Sequence, residues 1–167
     1  GGTGAIGGHV ARWLAQGGAR HVTLASRSGP AGAGVTGLAA QLAALGTGVS
    51  VGGCDVARGE EVAGLLAWAG KAAPPLSAVM HTAGVLGDGG LDRLSTARLA
   101  TVLAAKAAGA ALLDELTCGL DLDAFVLFSS TAATFGSAGQ GNYAAANAFL
   151  DALAEQRAAQ GMPLIHI

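Results

Sequence analysis

The sequence predicts an α/β fold built on a doubly wound parallel sheet of Rossmann type. Three observations carry that expectation. Short apolar runs alternate with helix-like stretches along the 167 residues, which is the order of a parallel sheet covered by helices on both faces. Two of the runs, Leu76–His81 and Ala124–Ser129, are almost continuously apolar, as strands buried on both sides are. The chain also opens on Gly1-Gly-Thr-Gly-Ala-Ile-Gly7, the glycine spacing of a turn that enters a helix beside a dinucleotide.

The elements follow in order. A helix is expected over Ile6–Gln16, then a strand over His21-Val-Thr-Leu-Ala-Ser26, a short β-rich run. Gly29–Gly34 reads as a loop rather than a domain boundary. Next come a helix over Gly37–Leu45, a strand at Val49-Ser-Val51 leading to Asp55, and a helix over Glu60–Ala69. The strand Leu76–His81 precedes a long helix over Thr96–Leu116, for which Ser95 or Thr96 is a suitable N-cap. The strand Ala124–Ser129, a helix over Asn142–Gln160 and a strand starting in Pro163-Leu-Ile-His-Ile167 complete the chain. The opening glycine turn should follow a strand, and the last run reads as a strand beginning. The expectation is therefore one domain cut short at both ends.

Composition narrows the function. The apolar fraction is 51%, enough for a sizeable core, whereas charged residues are 12% and the net charge is −2. That balance lacks the basic footprint of a nucleic-acid binder. Glycines and polar residues interrupt every run that could span a bilayer, so a cytoplasmic protein with no membrane partner is expected. Cys54 and Cys118 form no CxxC pair, and His9, His21, His81 and His166 are scattered without ligand spacing, so no metal is expected.

Gly2-Thr3-Gly4-Ala-Ile6-Gly7 fits G-x-G-x-x-G. The first glycine permits the tight turn, the second lets backbone approach a pyrophosphate, and the third allows the helix to pack closely. In a glycine-rich chain this match alone is weak. The residue about twenty positions on selects the ribose. Here Arg27 stands 20 residues after Gly7, preceded by Ser26. An acid there would repel a 2′-phosphate, while an arginine offers it a fork of donors, so NADPH is the expected cofactor. The bland alternative for Arg27 is a solvated surface charge. Asp55, followed by Val56, could accept from an adenine amino group, or could simply cap a loop. His81-Thr-Ala83-Gly84 ends a strand with small residues that let a cofactor lie close; His81 itself reads as a structural histidine.

Tyr143 is the single tyrosine, and Asn147 lies four residues on, on the same helical face. Ser130 follows a strand end, where ligands of such sheets gather. Lys106 sits in an Ala-rich helix and could equally be a solvated residue. Together the four suit carbonyl reduction. A phenol can protonate a carbonyl oxygen as hydride arrives, an ammonium nearby brings its high pKa towards neutrality, and a serine hydroxyl can hold the oxygen where charge develops.

With Leu24-Ala-Ser-Arg27, Cys54-Asp-Val56, His81-Thr-Ala-Gly-Val85, Phe128-Ser-Ser130 and Gly139-Gln-Gly-Asn-Tyr-Ala-Ala-Ala-Asn-Ala-Phe-Leu-Asp151 on the page, the chain resembles a short-chain dehydrogenase/reductase, and more closely a ketoreductase domain of a modular type I polyketide synthase. Simple members of the superfamily carry Tyr-x-x-x-Lys; Asn147 occupies that lysine position here, and Lys106 lies on the preceding helix, as in the synthase type. The resemblance implies Tyr143 as proton donor, Ser130 as carbonyl anchor, and Lys106 and Asn147 as tuning and relay groups. It implies a β-ketoacyl substrate on an acyl carrier protein, reduced to β-hydroxyacyl, with other domains of the same synthase as partners.

The resemblance also implies stereocontrol residues: Asp88, Phe135 and Gln140. In the family a Leu-Asp-Asp signature goes with a D-configured hydroxyl, and a Trp eight residues before the tyrosine with the L form. This chain has Leu86-Gly87-Asp88 and, eight before Tyr143, Phe135, so a D product is expected. Ala138 stands where epimerising members have Pro, so an α-substituent should keep its configuration. Measured against the family, the first strand, the C-terminal substrate lid and the preceding structural subdomain are expected to be missing. The alternatives are a fatty acid synthase type ketoreductase and an inactive fold kept as a structural module.

Overall fold

The computed structural model describes residues 1–72 and 74–167. The chain divides into two compact units, Gly1–Leu76 and Ser77–Ile167, each with a parallel sheet of its own.

The first unit runs α1 (Ala5–Gln16), β1 (His21–Ser26), α2 (Val35–Ala44), β2 (Gly48–Gly53) and α3 (Gly59–Ala72). β1 and β2 are parallel, in register from His21 opposite Gly48 to Ser26 opposite Gly53. α1 buries Gly7, Gly8, Ala11 and Ala15, one face at a spacing of three to four residues. With no side chain beyond a methyl on that face, the helix can pack closely on the core of Val22, Leu24, Leu38 and Leu42. Both strands end at the edge where the opening glycine turn meets the sheet: Gly2 N–H donates to Ala25 O at 2.8 Å, and Cys54 N–H to Ser26 O at 2.9 Å.

The second unit contains β3 (Ala78–His81), α4 (Thr96–Leu103), a π-helical turn (Ala104–Ala108), α5 (Gly109–Thr117), β4 (Ala124–Leu127), α6 (Ala132–Phe135), α7 (Gly141–Ala159) and β5 (Ile165–His166). The strands are parallel in the order β3-β4-β5. Phe125, Val126 and Leu127 are consecutive and all buried, so β4 is covered on both faces, as its unbroken apolar run predicts. Ser95 is the N-cap of α4, its hydroxyl accepting from Arg98 N–H at 3.3 Å. The last turns are tied by Arg157, which is 2% exposed. It pairs with Asp114, donates from Nη2 to Pro163 O at 3.2 Å, and lies 4.1 Å over the Phe125 ring.

Two elements depart from the sequence reading: the short α6 was not expected, and one expected helix is interrupted. The single helix expected over Thr96–Leu116 is broken by the π turn, whose wide loop closes with Gly109 N–H donating to Ala104 O. A π turn inserts one residue into a helical turn and shifts the face that follows. In Ala-Ala-Lys-Ala-Ala the propensity is uniformly helical, so no local signal marks the insertion. It buries Lys106 and Ala107.

Candidate active site

The centre of the second unit is a polar cluster in an apolar setting. Lys106 is 4% exposed and Asn147 is fully buried. Lys106 Nζ donates to Asn147 Oδ1 at 2.5 Å and to Phe128 O at 2.7 Å. Asn147 Nδ2 in turn donates to Tyr143 O at 2.7 Å, which locks the amide across one turn of α7. The ammonium lies 5.0 Å from the centroid of the half-buried Tyr143 ring, within cation–π range. An ammonium has three N–H donors, and two are engaged here, so one is left for a further acceptor. Burial pushes the Lys106 pKa down from its ordinary value to about 8, and the Asp151 carboxylate partly opposes that shift. The solvated-helix reading of Lys106 is thereby corrected: this lysine is held on the inside by residues 22 and 41 positions away.

Its backbone and stem are held too. His81 Nε2 lies 3.0 Å from Lys106 O. A carbonyl only accepts, so Nε2 carries the hydrogen and donates. Burial lowers the His81 pKa to about 4, so the ring is neutral near pH 7, the structural histidine expected. A Cβ at Gly84 would sit 3.4 Å from Lys106 Cε; the small residues after β3 flank the lysine stem. Ser130 comes two residues after the carbonyl that Lys106 grips, with its hydroxyl accepting from Ala132 N–H at 3.2 Å. That hydroxyl keeps its own hydrogen to donate. Lys106, Asn147 and Tyr143 are thus joined directly, and Ser130 through the chain segment next to Phe128.

The three residues implied for stereocontrol part company. Gln140 Nε2 donates to Asp88 Oδ2 at 3.0 Å, and Gly89 N–H to Gly139 O at 2.8 Å, so the loop bearing Asp88 is stitched to the start of α7. Phe135 is 84% exposed and is not part of that stitch. Asn142, to which the sequence reading assigned no role, is fully buried. Its Nδ2 donates to Gly87 O at 2.9 Å and its Oδ1 accepts from Tyr143 N–H at 2.8 Å. It therefore links that loop to the tyrosine's own backbone.

In the first unit the glycine turn leaves no room for side chains. A Cβ on Gly2 would lie 2.9 Å from Ala25 N, and one on Gly7 would lie 2.7 Å from Gly2 Cα. Real Cβ atoms do not approach so closely, so only glycine fits. Gly4 is the N-cap of α1, and no side chain caps that helix end. Its first N–H groups thus remain available to an anion. Ser26 Oγ is buried without a partner, a state that costs about 1–3 kcal/mol unless a ligand satisfies it. Arg27 is exposed and makes no ion pair among the described residues. These features suit a dinucleotide phosphate. Asp55 does what its bland reading proposed: Oδ1 accepts from Ala57 N–H at 3.1 Å, which caps the loop into α3 and leaves Oδ2 for another donor. Val56 sits half-buried beside it, and Ala83 likewise beside Gly84 in the second unit. Thr82 Oγ1, one residue before Ala83, is a second buried orphan that the sequence did not flag.

Two further polar residues went unassigned in the sequence: Ser129 and Asp151, hydrogen-bonded at 2.5 Å. A signal for Asp151 existed, since Tyr143, Asn147 and Asp151 recur every four residues along one face of a helix. Among the described residues no group of three or more His, Cys, Asp or Glu could hold a metal ion, and no helix is long and apolar enough to cross a membrane.

The model of the KR domain matches residues 1–167. The chain is 54% identical over 167 residues to polyketide synthase GfsA of Streptomyces halstedii, covering all of this chain and 2% of that protein. It is 49% identical over 168 residues to erythronolide synthase EryA3 of Saccharopolyspora erythraea, covering 5% of it. Among solved structures, an A-type ketoreductase from a modular polyketide synthase superposes with a TM-score of 0.93 at 50% identity, over 99% of this chain and 35% of that one. The first ketoreductase of the tylosin synthase superposes with a TM-score of 0.92, also at 50% identity, over 99% of this chain and 36% of that one. The chain thus spans a small part of its curated relatives and about a third of the solved ones. An NADH-dependent reductase of alginate metabolism, 21% identical with a TM-score of 0.88, shares the fold alone.

Proposed function

Because the chain belongs to the KR domain family, within the type I modular polyketide synthases, we propose that it is part of an NADPH-dependent ketoreductase domain. Its proposed reaction converts a β-ketoacyl thioester on an acyl carrier protein to the β-hydroxyacyl form, with the other domains of its synthase as partners. The observation that carries this reading is the buried Lys106–Asn147 pair beside Tyr143, because a lysine is held charged inside an apolar unit only at a cost that a proton-handling role explains.

The cofactor supplies the hydride. Gly2, Thr3, Gly4, Ile6 and Gly7 would hold its phosphates at the turn and the helix end, and Ser26 and Arg27 its 2′-phosphate. Asp55 with Val56 would meet the adenine, and Ala83 with Gly84 the ring near Lys106. Ser130 donates to the substrate carbonyl and polarises it. As hydride reaches the β-carbon and the carbonyl π pair moves onto oxygen, the Tyr143 hydroxyl gives that oxygen its proton. The phenolate is left within the field of Lys106, whose free N–H and low pKa equip it to return a proton. Asn147 holds the ammonium through Oδ1 and completes the relay.

Asp88, bonded to Gln140, and the exposed Phe135 are proposed to steer the acyl chain from opposite sides, the Asp88 side giving a D-hydroxyl. The test supplies the intact protein with a β-ketoacyl thioester and NADPH or NADH and resolves the product by chiral chromatography. Reduction preferring NADPH, with a mainly D product, is expected. No reduction defeats the reading, and a mainly L product defeats its stereochemical part.

A further inference from the structure

Outside the four expected catalytic groups, one pair of side chains joins the segment that carries Ser130 to the helix that carries Tyr143 and Asn147. Ser129 is the residue between Phe128, whose carbonyl accepts from Lys106, and Ser130. Asp151 lies on α7, one turn past Asn147 and two past Tyr143. Ser129 Oγ donates to Asp151 Oδ1 at 2.5 Å, and the same hydroxyl lies 3.4 Å from Asn147 O. A hydroxyl has one hydrogen, and the shorter, charge-assisted bond to the carboxylate takes it. The charged or titratable groups set against Asp151 are Lys106, from the π turn, and His166 of β5, whose Nδ1 is 3.4 Å from Asp151 Oδ1.

We propose that Ser129 and Asp151 are a positioning pair for the reduction, clamping the end of β4 to α7 so that Ser130 and Tyr143 address one carbonyl. This rests on the ketoreductase reading above. The segment from Phe128 to Ser130 runs on past the end of β4, where Phe128 N–H donates to His81 O at 3.5 Å. Ser129 N–H donates to Ile167 O at 2.7 Å, which ties it towards β5; the Asp151 bond is its side-chain tie to the helix bearing the tyrosine. Releasing it through Ser129→Ala leaves each catalytic group intact and changes only their spacing, whereas loss of the Asp151 carboxylate also withdraws a charge that raises the Lys106 pKa. Displacements of about 1 Å in such a constellation cost up to about 100-fold in rate.

The test uses the intact protein, a β-ketoacyl thioester and NADPH, with variants Ser129→Ala, Asp151→Ala, the double variant and Asp151→Asn. Ser129→Ala and Asp151→Ala should each lower kcat by about 10- to 100-fold, with KM for the thioester and the affinity for NADPH nearly unchanged. The double variant should lose no more than the worse single one, because both remove the same bond. Asp151→Asn keeps an acceptor for Ser129 and, assayed well below the Lys106 pKa so that the ammonium stays charged, should recover most of the rate. NADPH binding and a thermal melt report folding independently; if Asp151→Ala does not fold, Ser129→Ala and Asp151→Asn carry the comparison. Unchanged kcat in Ser129→Ala, additive losses in the double variant, or an Asp151→Asn as slow as Asp151→Ala would overturn the proposal. A wild-type protein that reduces no thioester would instead defeat the ketoreductase reading.

Discussion

Lys106 and Asn147 are 41 residues apart, yet Lys106 Nζ donates to Asn147 Oδ1 at 2.5 Å while the asparagine's other amide atom donates to Tyr143 O. The asparagine thus faces two ways. Its oxygen fixes the ammonium, and its nitrogen fixes it to the helix that carries the phenol. An ammonium buried at 4% exposure needs acceptors in place of lost water, and here a backbone carbonyl and a side-chain amide supply them. Burial lowers its pKa, and the Asp151 carboxylate opposes that shift only in part.

The proposed proton relay should carry the signature of that lysine. With the Lys106 pKa near 8, the ammonium is present below that pH and lost above it, so kcat for reduction should fall as pH rises through about 8. Lys106→Ala should lower kcat about 100-fold and remove this limb of the profile. The lysine also contributes to stability with a definite sign. Its folded pKa lies below its unfolded value near 10.5, so between about 8 and 10.5 the unfolded chain binds more protons and this group's contribution to stability rises with pH. Denaturant titrations of wild type and Lys106→Ala across that window measure the difference.

Tyr143→Phe removes the only phenol in the chain. The hydrogen bonds that hold its position run through the backbone, to Asn142 Oδ1 and from Asn147 Nδ2, and survive the change. Reduction should therefore fall by about 100- to 10,000-fold, with the thermal midpoint and NADPH affinity close to wild type. Steady-state rates and a cofactor fluorescence titration check this together.

Arg27 is exposed at the end of β1 and open to a phosphate. Arg27→Asp should weaken NADPH binding by about 10- to 100-fold, the value of one charge-assisted hydrogen bond, and leave NADH affinity within a few-fold. Calorimetric titration with both cofactors separates the two. Equal losses would mean that Arg27 does not meet the 2′-phosphate.

His81 should make the fold sensitive to acid. It is buried with its pKa lowered to about 4, while the unfolded chain takes up a proton near 6.5. Between those values the unfolded state binds more protons, so stability is lost as pH falls through the window, by no more than about 1.4 kcal/mol per pH unit for one group. His81→Gln keeps an N–H for Lys106 O and should flatten this part of the slope. Urea unfolding of both proteins at pH 7 and pH 5 measures it.

Much of the fold was legible because its signals are local. The unbroken apolar run in Phe125–Leu127 marked a strand covered on both faces, and Ser95 marked a helix start that its hydroxyl does cap. In the site, the four-residue spacing of Tyr143 and Asn147 was readable from helical geometry. The π turn at Ala104–Ala108 was not, because an inserted residue in an alanine-rich helix changes neither propensity nor composition. Asn142 and Ser129 were not either: both sit within recognised blocks, but a polar residue's partner is set by what the fold brings opposite it.

The sequence by itself determined where glycine is obligatory, which strands are buried and which residue types are available for proton transfer, since these depend on backbone conformation and periodicity over a few residues. Only the tertiary structure decided the state of Lys106. In sequence it is a lysine among alanines, equally suited to solvent. Its two acceptors come from Phe128, just past β4, and Asn147 on α7, 22 and 41 residues away, and burial among them lowers its pKa. Desolvation and hydrogen bonding act over a few ångströms of space, whatever the distance along the chain.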